Sequence, residues 1–412
     1  MGEIMLGAEF KSLPPSAWGS TARQFLTSAP AIDQFQTPLL TLDRSALRHN
    51  VRVMAEWLSK RGLRIAPHGK TTMAPQLWQQ LLDAGAWGIT LATGWQVELA
   101  RSFGIRRILL ANSLIDPVVL RWLASELSDP DFEFSCWVDS VETVGAMRAA
   151  LAGVSLPRPI DVIVELGGPG GRTGARTVAT ALEVVAAVEA SPELSIAGVG
   201  GYEGSLAHDR TSEAIARVTG YLDRVVQLHD SIEWNGRRAI VTAGGSAYFE
   251  FVAERFATLV ERATVVLRSG AYQVHDDGFY LGISPFSGGE HPFRAAMHGW
   301  VRVVSRPEPG LAILDGGKRD FPFDDGLPTV QLVVGFAPEE SAVVVAGSEI
   351  VAINDQHAYL RISDGADLPV GSVLRLGLSH PCTAFDKWRL IPVIDDATSD
   401  RPTVVDLVRT WF

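Results

Sequence analysis

The chain has 412 residues, of which 47% are hydrophobic and 20% charged, a composition typical of an ordered globular protein and not of a disordered one. The length suffices for one large barrel with a smaller domain, or for two or three ordinary domains. The formal net charge of -11 argues against nucleic acid as a partner, because proteins that bind the phosphate backbone carry a basic face.

Signals for export and for membrane attachment are not expected in this sequence. The N-terminus lacks a basic stretch followed by a long apolar run, and no apolar run approaches the length of a membrane span. The two cysteines, Cys136 and Cys382, are too few for a disulfide framework in a chain of this length. We therefore expect a cytoplasmic protein with no membrane partner.

The predicted elements alternate between strands and helices from about residue 39 to residue 270. The opening helix is marked by Leu47, Val51, Met54 and Leu58, which share one face and should pack on a sheet. Eight strand predictions follow, centred on Ile65, Ile89, Leu109, Phe134, Val164, Val199, Val241 and Val266. Eight β/α units indicate an α/β protein with a (β/α)8 TIM barrel, although a doubly wound open sheet would show the same alternation.

Polar residues at the predicted ends of the strands favour the barrel. Barrel enzymes place their active sites at the C-terminal ends of the strands. The residues at these ends are His68, Lys70, Thr93, Asn112, Asp139, Arg172, Tyr202, Glu203, Gly244 to Ser246, Ser269 and Gly270. Many unlike polar groups are thus expected to converge at one mouth.

The pattern changes beyond about Pro285 to short strand-like runs, such as 342–345 and 373–376, with turn residues between them. We therefore divide the chain into an N-terminal segment (residues 1–36), a barrel (37–285) and a C-terminal β-rich domain (286–412). The N-terminal segment fits neither pattern and is expected to pack on the β-rich domain.

A lysine and two glycine turns suggest a site for a phosphorylated cofactor. Lys70 follows the first barrel strand, and it is either an amine that forms a Schiff base or a lysine that only reaches solvent. Residues 243–246 and 269–270 follow the seventh and eighth strands, where barrels recurrently bind phosphate. Backbone N–H groups in such turns suit a phosphate, whereas the alternative is that these glycines only permit tight turns.

A second glycine cluster, residues 167–174, is not a dinucleotide fingerprint. It follows the fifth strand instead of opening a βαβ unit, and it contains Pro169 within the loop. We expect this loop to pass close to a bound ring with Arg172 pointing inward. The alternative is a flexible loop with a solvated arginine.

His380 and Cys382 form a candidate metal pair, because alternation along an extended segment would put both side chains on one face. Imidazole and thiolate together suit zinc, although two ligands alone do not make a site. Cys136 lies within an apolar strand run and is expected to be an ordinary buried residue.

Four of these motifs resemble, in order, those of the D-serine dehydratase and D-threonine aldolase family. They are residues 67–71, 201–204, 243–246 and 380–382, and the resemblance extends from about Thr37 onward. The members of this family are fold-type III pyridoxal 5'-phosphate (PLP) enzymes. The resemblance therefore implies an alanine-racemase-like, PLP-binding barrel with a C-terminal β-domain, and by analogy a homodimer.

The resemblance also implies roles for individual residues. Lys70 would bind PLP as a Schiff base and act in catalysis, and His380 and Cys382 would bind Zn²⁺ or another divalent metal. His357 would act near the substrate, although Gln356 departs from the acidic-acidic-His segment of the relatives. His68 would either orient the site or be structural. The cofactor-binding residues would be His68, Lys70, Arg172, Tyr202, Gly244, Gly245, Ser246, Gly270 and Tyr272.

The expected function is that of a PLP- and zinc-dependent dehydratase, a lyase of the D-serine ammonia-lyase type. It would convert a D-3-hydroxy amino acid, such as D-serine or D-threo-3-hydroxyaspartate, to a keto acid and ammonia. The His-X-Cys pair favours dehydration, because the aldolases of the family tend to have His-X-Asp. The alternatives are a metal-dependent D-threonine aldolase, a racemase that leaves the metal pair unexplained, and a non-catalytic PLP carrier, which the extra domain disfavours.

Overall fold

Two sheets, each with its own hydrophobic core, organise the protein. The computed structural model describes residues 3–363, 366, 368–399 and 401–412. Within this part of the chain, no helix is long and apolar enough to cross a membrane.

The first elements of the chain connect the core of the β-rich sheet to that of the barrel. A short helix, α1 (Ala22–Leu26), precedes β1 (Leu39–Asp43) and α2 (Arg44–Ser59). Asp43 caps the start of α2, and its carboxylate accepts hydrogen bonds from Ala46 N at 2.8 Å and from Ala397 N at 2.8 Å. The same side chain thus caps α2 and ties it to the C-terminal part of the chain.

Eight parallel strands form the barrel, as the sequence predicted. They pair in the order β2-β9-β8-β7-β6-β5-β4-β3, and a parallel bridge between His68 and Thr90 joins the two ends. Every predicted strand centre falls within one of these strands. The strands are β2 (Arg64–Ile65), β3 (Ile89–Leu91), β4 (Arg107–Ser113), β5 (Glu133–Val138), β6 (Ile160–Glu165), β7 (Leu194–Gly200), β8 (Ile240–Ala243) and β9 (Thr264–Leu267).

Helices follow the barrel strands and pack outside them. They are α3 (Pro75–Asp83), α4 (Gly94–Ser102), α5 (Pro117–Glu126), α6 (Val141–Ala150), α7 (Val178–Glu189), α8 (Ser212–Asp230) and α9 (Phe249–Arg255). The side chains of Thr93, Asp116, Ser140, Thr177 and Thr211 accept backbone N–H groups at the starts of α4 to α8. Some polar residues at strand ends, Thr93 among them, are therefore explained by helix capping.

The C-terminal domain is a mostly antiparallel sheet reached through α10 (Phe279–Ile283). Its strands are β10 (Met297–Glu308), β11 (Leu311–Leu314), β12 (Thr329–Val333), β13 (Glu349–Ile353), β14 (Ala358–Arg361), β15 (Val373–Gly377), β16 (Leu390–Ile394) and β17 (Val404–Arg409). The order is β13-β14-β11-β10-β1-β16-β17, and β15 pairs with both β10 and β12. The domain also contains the helices α11 (Pro338–Ala346) and α12 (Pro381–Phe385).

One predicted strand is wrong, because residues 342–345 lie in α11. Pro338 occupies the first turn with Glu339 and Glu340, and both proline and acidic residues favour a helix N-terminus. A short apolar run does not distinguish a strand from a helix by period alone. The other run, 373–376, lies in β15.

The N-terminal segment contributes to the core of the β-rich domain, where Leu6, Phe10, Leu13, Phe25 and Phe35 are buried. Strand β1 also lies in this sheet, since residues 39–42 pair with β10. The sequence-based division put β1 with the barrel because it directly precedes a barrel-like helix. The first strand of the predicted barrel segment (37–285) thus pairs within the β-rich sheet.

Candidate active site

A cavity of about 350 Å³ lies at the C-terminal ends of the barrel strands. This volume is at the lower end of the range for small-molecule sites. The barrel supplies most of its walls, and the β-rich domain adds two side chains. The residues that line it are His68, Lys70, Thr71, Ala92, Ala111, Asn112, Trp137, Arg172, Thr173, Tyr202, Gly245, Ser246, Arg268, Ser269, Gly270, Ala271, Tyr280, His380 and Cys382.

A tight turn after β2 directs Lys70 toward the cavity. Residues 69–71 form one turn of 3₁₀ helix, and Trp78 Nε1 donates a hydrogen bond to Gly69 O at 3.1 Å. A Cβ atom on Gly69 would lie 2.8 Å from both Ile89 Cγ2 and Trp78 Nε1. The close packing therefore requires glycine here and fixes the position from which Lys70 projects.

Arg268, which the sequence analysis did not single out, lies buried in the wall of the cavity. Its Nη1 donates to Thr242 Oγ1 at 2.7 Å and its Nη2 to Gly201 O at 2.5 Å, and the guanidinium lies 5.0 Å from the Trp137 ring centroid. The available sequence signal was the position of this arginine directly after a buried strand. A charge is rarely buried without partners, so an arginine at this position indicates polar groups around it.

The buried position of His68 favours its uncharged form. Burial lowers its pKa well below the ordinary value, and the positive charges of Arg268, Lys70 and Arg172 lower it further. Among the described residues, His68 Nδ1 and Arg268 Nε are buried and have no hydrogen-bond partner. Both atoms are enclosed by the protein and do not open onto the cavity.

Glu203 holds the glycine turn after β8. The sequence analysis instead suggested that the backbone N–H groups of this turn suit a phosphate. The fully buried Glu203 carboxylate accepts Gly244 N at 3.0 Å and Gly245 N at 2.5 Å. These two N–H groups are thus already paired within the protein, and Gly244 does not line the cavity. Gly245, Ser246 and Gly270 do line it.

Arg172 and Tyr202 lie side by side at the mouth, with the guanidinium 5.5 Å from the tyrosine ring centroid. Hydrogen bonds hold the glycine-rich loop that carries Arg172, since Gly174 N donates to Asp139 Oδ2 at 3.1 Å. In addition, Thr173 Oγ1 donates to Glu165 Oε1 at 2.9 Å. Burial, together with the charge of Asp139, raises the pKa of Glu165 to about 7.

His380 and Cys382 reach the cavity, although not through the extended segment that the sequence predicted. His380 adopts a left-handed backbone conformation (φ 48°), and α12 begins at the next residue. His380 Nδ1 lies 2.6 Å from Asp324 Oδ2 and 3.0 Å from Asp325 Oδ2. Cys382 Sγ lies 3.5 Å from Thr71 Oγ1, the residue next to Lys70.

The electrostatics of this pair favour a thiolate. Hydrogen bonding to Cys382 raises the pKa of His380 to about 9, against the effect of burial. Burial opposes ionisation of Cys382, but hydrogen bonds with His380 and Thr71 and the charges of His380 and Lys70 lower its pKa overall. The thiolate is the form of cysteine that binds metals.

Three other residues lie outside this cavity. His357 is exposed between β13 and β14, in the β-rich domain. Tyr272 is buried and lines a second, separate cavity of about 340 Å³ beside α2. Cys136 is fully buried in β5, where burial raises its pKa to about 12.

Comparisons with known proteins agree with this architecture. Residues 42–261 match the model of the alanine racemase N-terminal domain, and residues 296–394 match that of a putative serine dehydratase domain. The chain is 27% identical to the D-threonine aldolase of an Arthrobacter species over 363 residues, which cover 87% of this chain and 89% of the relative. It is 24% identical to the D-threo-3-hydroxyaspartate dehydratase of Delftia sp. strain HT23 over 359 residues, 84% of this chain and 90% of that protein.

A solved structure shares the fold. The D-threonine aldolase from Filomicrobium marinum is similar with a TM-score of 0.77 at 24% identity, covering 92% of this chain and 96% of that one. Because the alanine racemase N-terminal domain alone spans more than half of the chain and a serine dehydratase domain follows it, the chain belongs to the D-serine dehydratase and D-threonine aldolase family of fold-type III PLP enzymes.

Proposed function

We propose that the protein is a PLP- and zinc-dependent dehydratase that converts a D-3-hydroxy amino acid to a keto acid and ammonia. The observation that carries this proposal is that Lys70, His380 and Cys382 line one cavity. The named relatives are lyases acting on D-amino acids, which supports the reaction class.

The residues of the cavity fit PLP. Lys70 offers the amine for its aldehyde, and Ser246 and Gly270 lie on the two turns that suit its phosphate. His68 and Arg268 line the same cavity and would lie beside the bound cofactor. Gly245 would contribute through the shape of its turn, since its N–H group is bound to Glu203.

The residues also fit a divalent metal. His380 and Cys382 supply nitrogen and sulfur, and a thiolate favours zinc over magnesium or manganese. A solved structure of a D-threo-3-hydroxyaspartate dehydratase mutant is described as a metal-free form, which supports metal binding in that relative. By analogy, the pair in this chain would bind zinc.

Dehydration requires that the Cα–H and Cβ–O bonds break and that the resulting enamine hydrolyses, as its imine, to keto acid and ammonia. Bound PLP would withdraw electrons from Cα, and bound zinc would assist departure of the β-hydroxyl as a Lewis acid. Lys70 would accept the Cα proton. Thr71, which contacts Cys382 Sγ at 3.5 Å, would keep the metal ligand beside the turn that carries this base.

This proximity explains why elimination suits the site. Cα and Cβ are adjacent atoms of the substrate, and the reaction needs a base at one and an acid at the other. Lys70 and Thr71 are consecutive residues of one turn, so the residue that contacts Cys382 lies next to the proposed base. A racemase would need no metal ligand there.

A metal-dependent aldolase is the second candidate, because the relative at 27% identity is a D-threonine aldolase. An aldolase would deprotonate the β-hydroxyl and break the Cα–Cβ bond to give glycine and an aldehyde. Cys382 disfavours it, since a carboxylate at that position would suit manganese or magnesium better.

The test is a product assay on purified, PLP-loaded protein with D-serine, D-threonine and D-threo-3-hydroxyaspartate, with and without a chelator. Keto acid and ammonia that disappear with chelator and return with zinc are expected. Glycine and aldehyde would instead establish an aldolase. The absence of any product would refute both lyase proposals and favour a racemase or carrier.

Two further properties stay predictions. Both cysteines are free, which fits a reducing cytoplasm, and a homodimer is expected by analogy with fold-type III enzymes.

A catalytic role for His357 has no support from the cavity that this chain forms.

A further inference from the structure

We propose that Asp324 is the positioning residue of the metal site, an inference that rests on the proposed binding of metal by His380 and Cys382. Asp324 would accept the Nδ1 proton of His380, so that Nε2 is the nitrogen presented to the metal. Metal-binding histidines generally bond their second ring nitrogen to a carboxylate or carbonyl, which fixes the tautomer and the ring orientation.

The two oxygens of Asp324 have separate partners. Oδ2 lies 2.6 Å from His380 Nδ1, and Oδ1 accepts the hydroxyl of Thr383 at 2.8 Å. Thr383 follows Cys382 on α12. The carboxylate therefore links the imidazole to the helix that carries the sulfur ligand, and it is itself held in one orientation.

The backbone around His380 is fixed independently of its ring. Its N–H donates to the buried Asp276 Oδ2 at 3.0 Å, which supports the left-handed conformation at this residue. Ser379 Oγ donates to the carbonyl of Asp325 at 2.7 Å, and this bond docks the loop of the two aspartates against the segment before α12. With backbone and loop held in place, the ring of His380 has Asp324 as its nearest acceptor.

Asp325 provides a matched comparison. It carries the same charge one residue away, and its Oδ2 lies 3.0 Å from the same nitrogen. A single N–H proton points mainly at one acceptor, and the shorter contact belongs to Asp324. A positioning role therefore predicts unequal effects at the two aspartates, whereas a general effect of negative charge predicts equal ones.

The test measures Zn²⁺ affinity of PLP-loaded, metal-depleted protein by competition with a chromophoric chelator. Asp324→Ala is expected to weaken Zn²⁺ binding by about 10–100-fold, the range typical for loss of such a partner. Asp325→Ala should change it by less than about 3-fold, because Asp324 still fixes the ring. Asp324→Asn keeps an oxygen that can accept the N–H and should fall between wild type and Asp324→Ala.

A second variant and a spectroscopic readout keep the inference falsifiable. Thr383→Val retains both charges but releases Oδ1 of Asp324, and it should also weaken Zn²⁺ binding. The absorption of the Co²⁺-substituted protein should be the same in wild type and Asp324→Asn, since the ligands are unchanged. Thermal unfolding of each metal-depleted variant, compared with wild type, checks that the fold is retained.

Several results would overturn the positioning role. The first is an unchanged Zn²⁺ affinity in both Asp324→Ala and Thr383→Val. The second is an equal loss of Zn²⁺ affinity in Asp324→Ala, Asp324→Asn and Asp325→Ala. The third is a Co²⁺ spectrum of Asp324→Asn that indicates a lost ligand. His380→Ala and Cys382→Ser separate this failure from that of the proposed function. If neither weakens Zn²⁺ binding, the metal site itself is wrong and the role of Asp324 falls with it.

Discussion

Glu203 is predicted to control cofactor affinity without contacting the cofactor, by ordering the turn after β8. Its buried carboxylate accepts the N–H groups of Gly244 and Gly245 at 3.0 and 2.5 Å. In Glu203→Gln the side chain keeps one acceptor oxygen and turns an NH₂ group toward the other N–H. One hydrogen bond to a charged acceptor is lost, and such bonds contribute about 1.5–3 kcal/mol each.

If this loss falls on the conformation of the turn, the affinity for PLP decreases by about 10–100-fold, since each 1.4 kcal/mol is about tenfold. The measurement is the PLP dissociation constant of the apoprotein by absorbance titration, with thermal unfolding in parallel. Glu213→Gln, at an exposed site on α8, is the matched control and should behave as wild type. A Glu203→Gln protein that loses stability but binds PLP within about twofold of wild type would refute the reasoning.

Three further predictions concern other parts of the site. The pKa of Glu165 is raised from 4.5 to about 7, so between these values the folded state keeps the proton that the unfolded chain releases. The free energy of unfolding should therefore fall by up to about 3 kcal/mol as the pH rises from about 4.5 to about 7. Denaturant unfolding across this range should show a flatter dependence in Glu165→Gln, and an equal slope would contradict the assignment. Gly69→Ala should cost about 1–3 kcal/mol through overpacking and lower PLP content, as measured by urea unfolding and absorbance; full PLP content would show that the turn tolerates a Cβ. Cys382→Asp should shift metal preference from zinc toward manganese, measured by competition between the two ions, and an unchanged preference would argue against Cys382 as a ligand.

The barrel could be predicted from the sequence because its strands are buried on both faces. Such strands appear as short apolar runs separated by helical periods, and all eight predicted centres lie in β2 to β9. The position of β1 could not be predicted in this way. It precedes α2 in the same alternating pattern, yet it pairs with β10, more than 250 residues later in the chain.

The candidate site could be predicted in part for a related reason. Residues at the ends of parallel strands meet at one mouth, so Lys70, Arg172, Tyr202 and Ser246 were accessible to sequence reasoning. Arg268 was missed because hydropathy patterns assign a strand-end arginine to the surface. Its burial depends on two acceptors, Thr242 Oγ1 and Gly201 O, which only the closed barrel brings within reach.

Hydrophobic periodicity in the sequence could not predict the loop contacts. The sequence analysis noted Glu203 as a polar residue at a strand end. Its hydrogen bonds with the N–H groups of Gly244 and Gly245 arise because β7 and β8 are neighbours in the barrel. Asp324 lies more than fifty residues before His380, in a loop without a regular period. Their contact reflects the folding of the β-rich domain and has no local sequence signature.

The meeting point of the two domains bears most directly on function. The barrel alone provides Lys70, the glycine turns and Arg268, which is what a protein that only binds PLP would need. The β-rich domain adds a histidine and a cysteine, and the contact between Cys382 Sγ and Thr71 Oγ1 at 3.5 Å brings them beside the lysine turn. A carrier would have no use for the metal ligands proposed here, whereas a lyase that acts at Cβ requires an acid there. The arrangement of Lys70, Thr71 and Cys382 therefore favours chemistry at two adjacent carbons of the substrate.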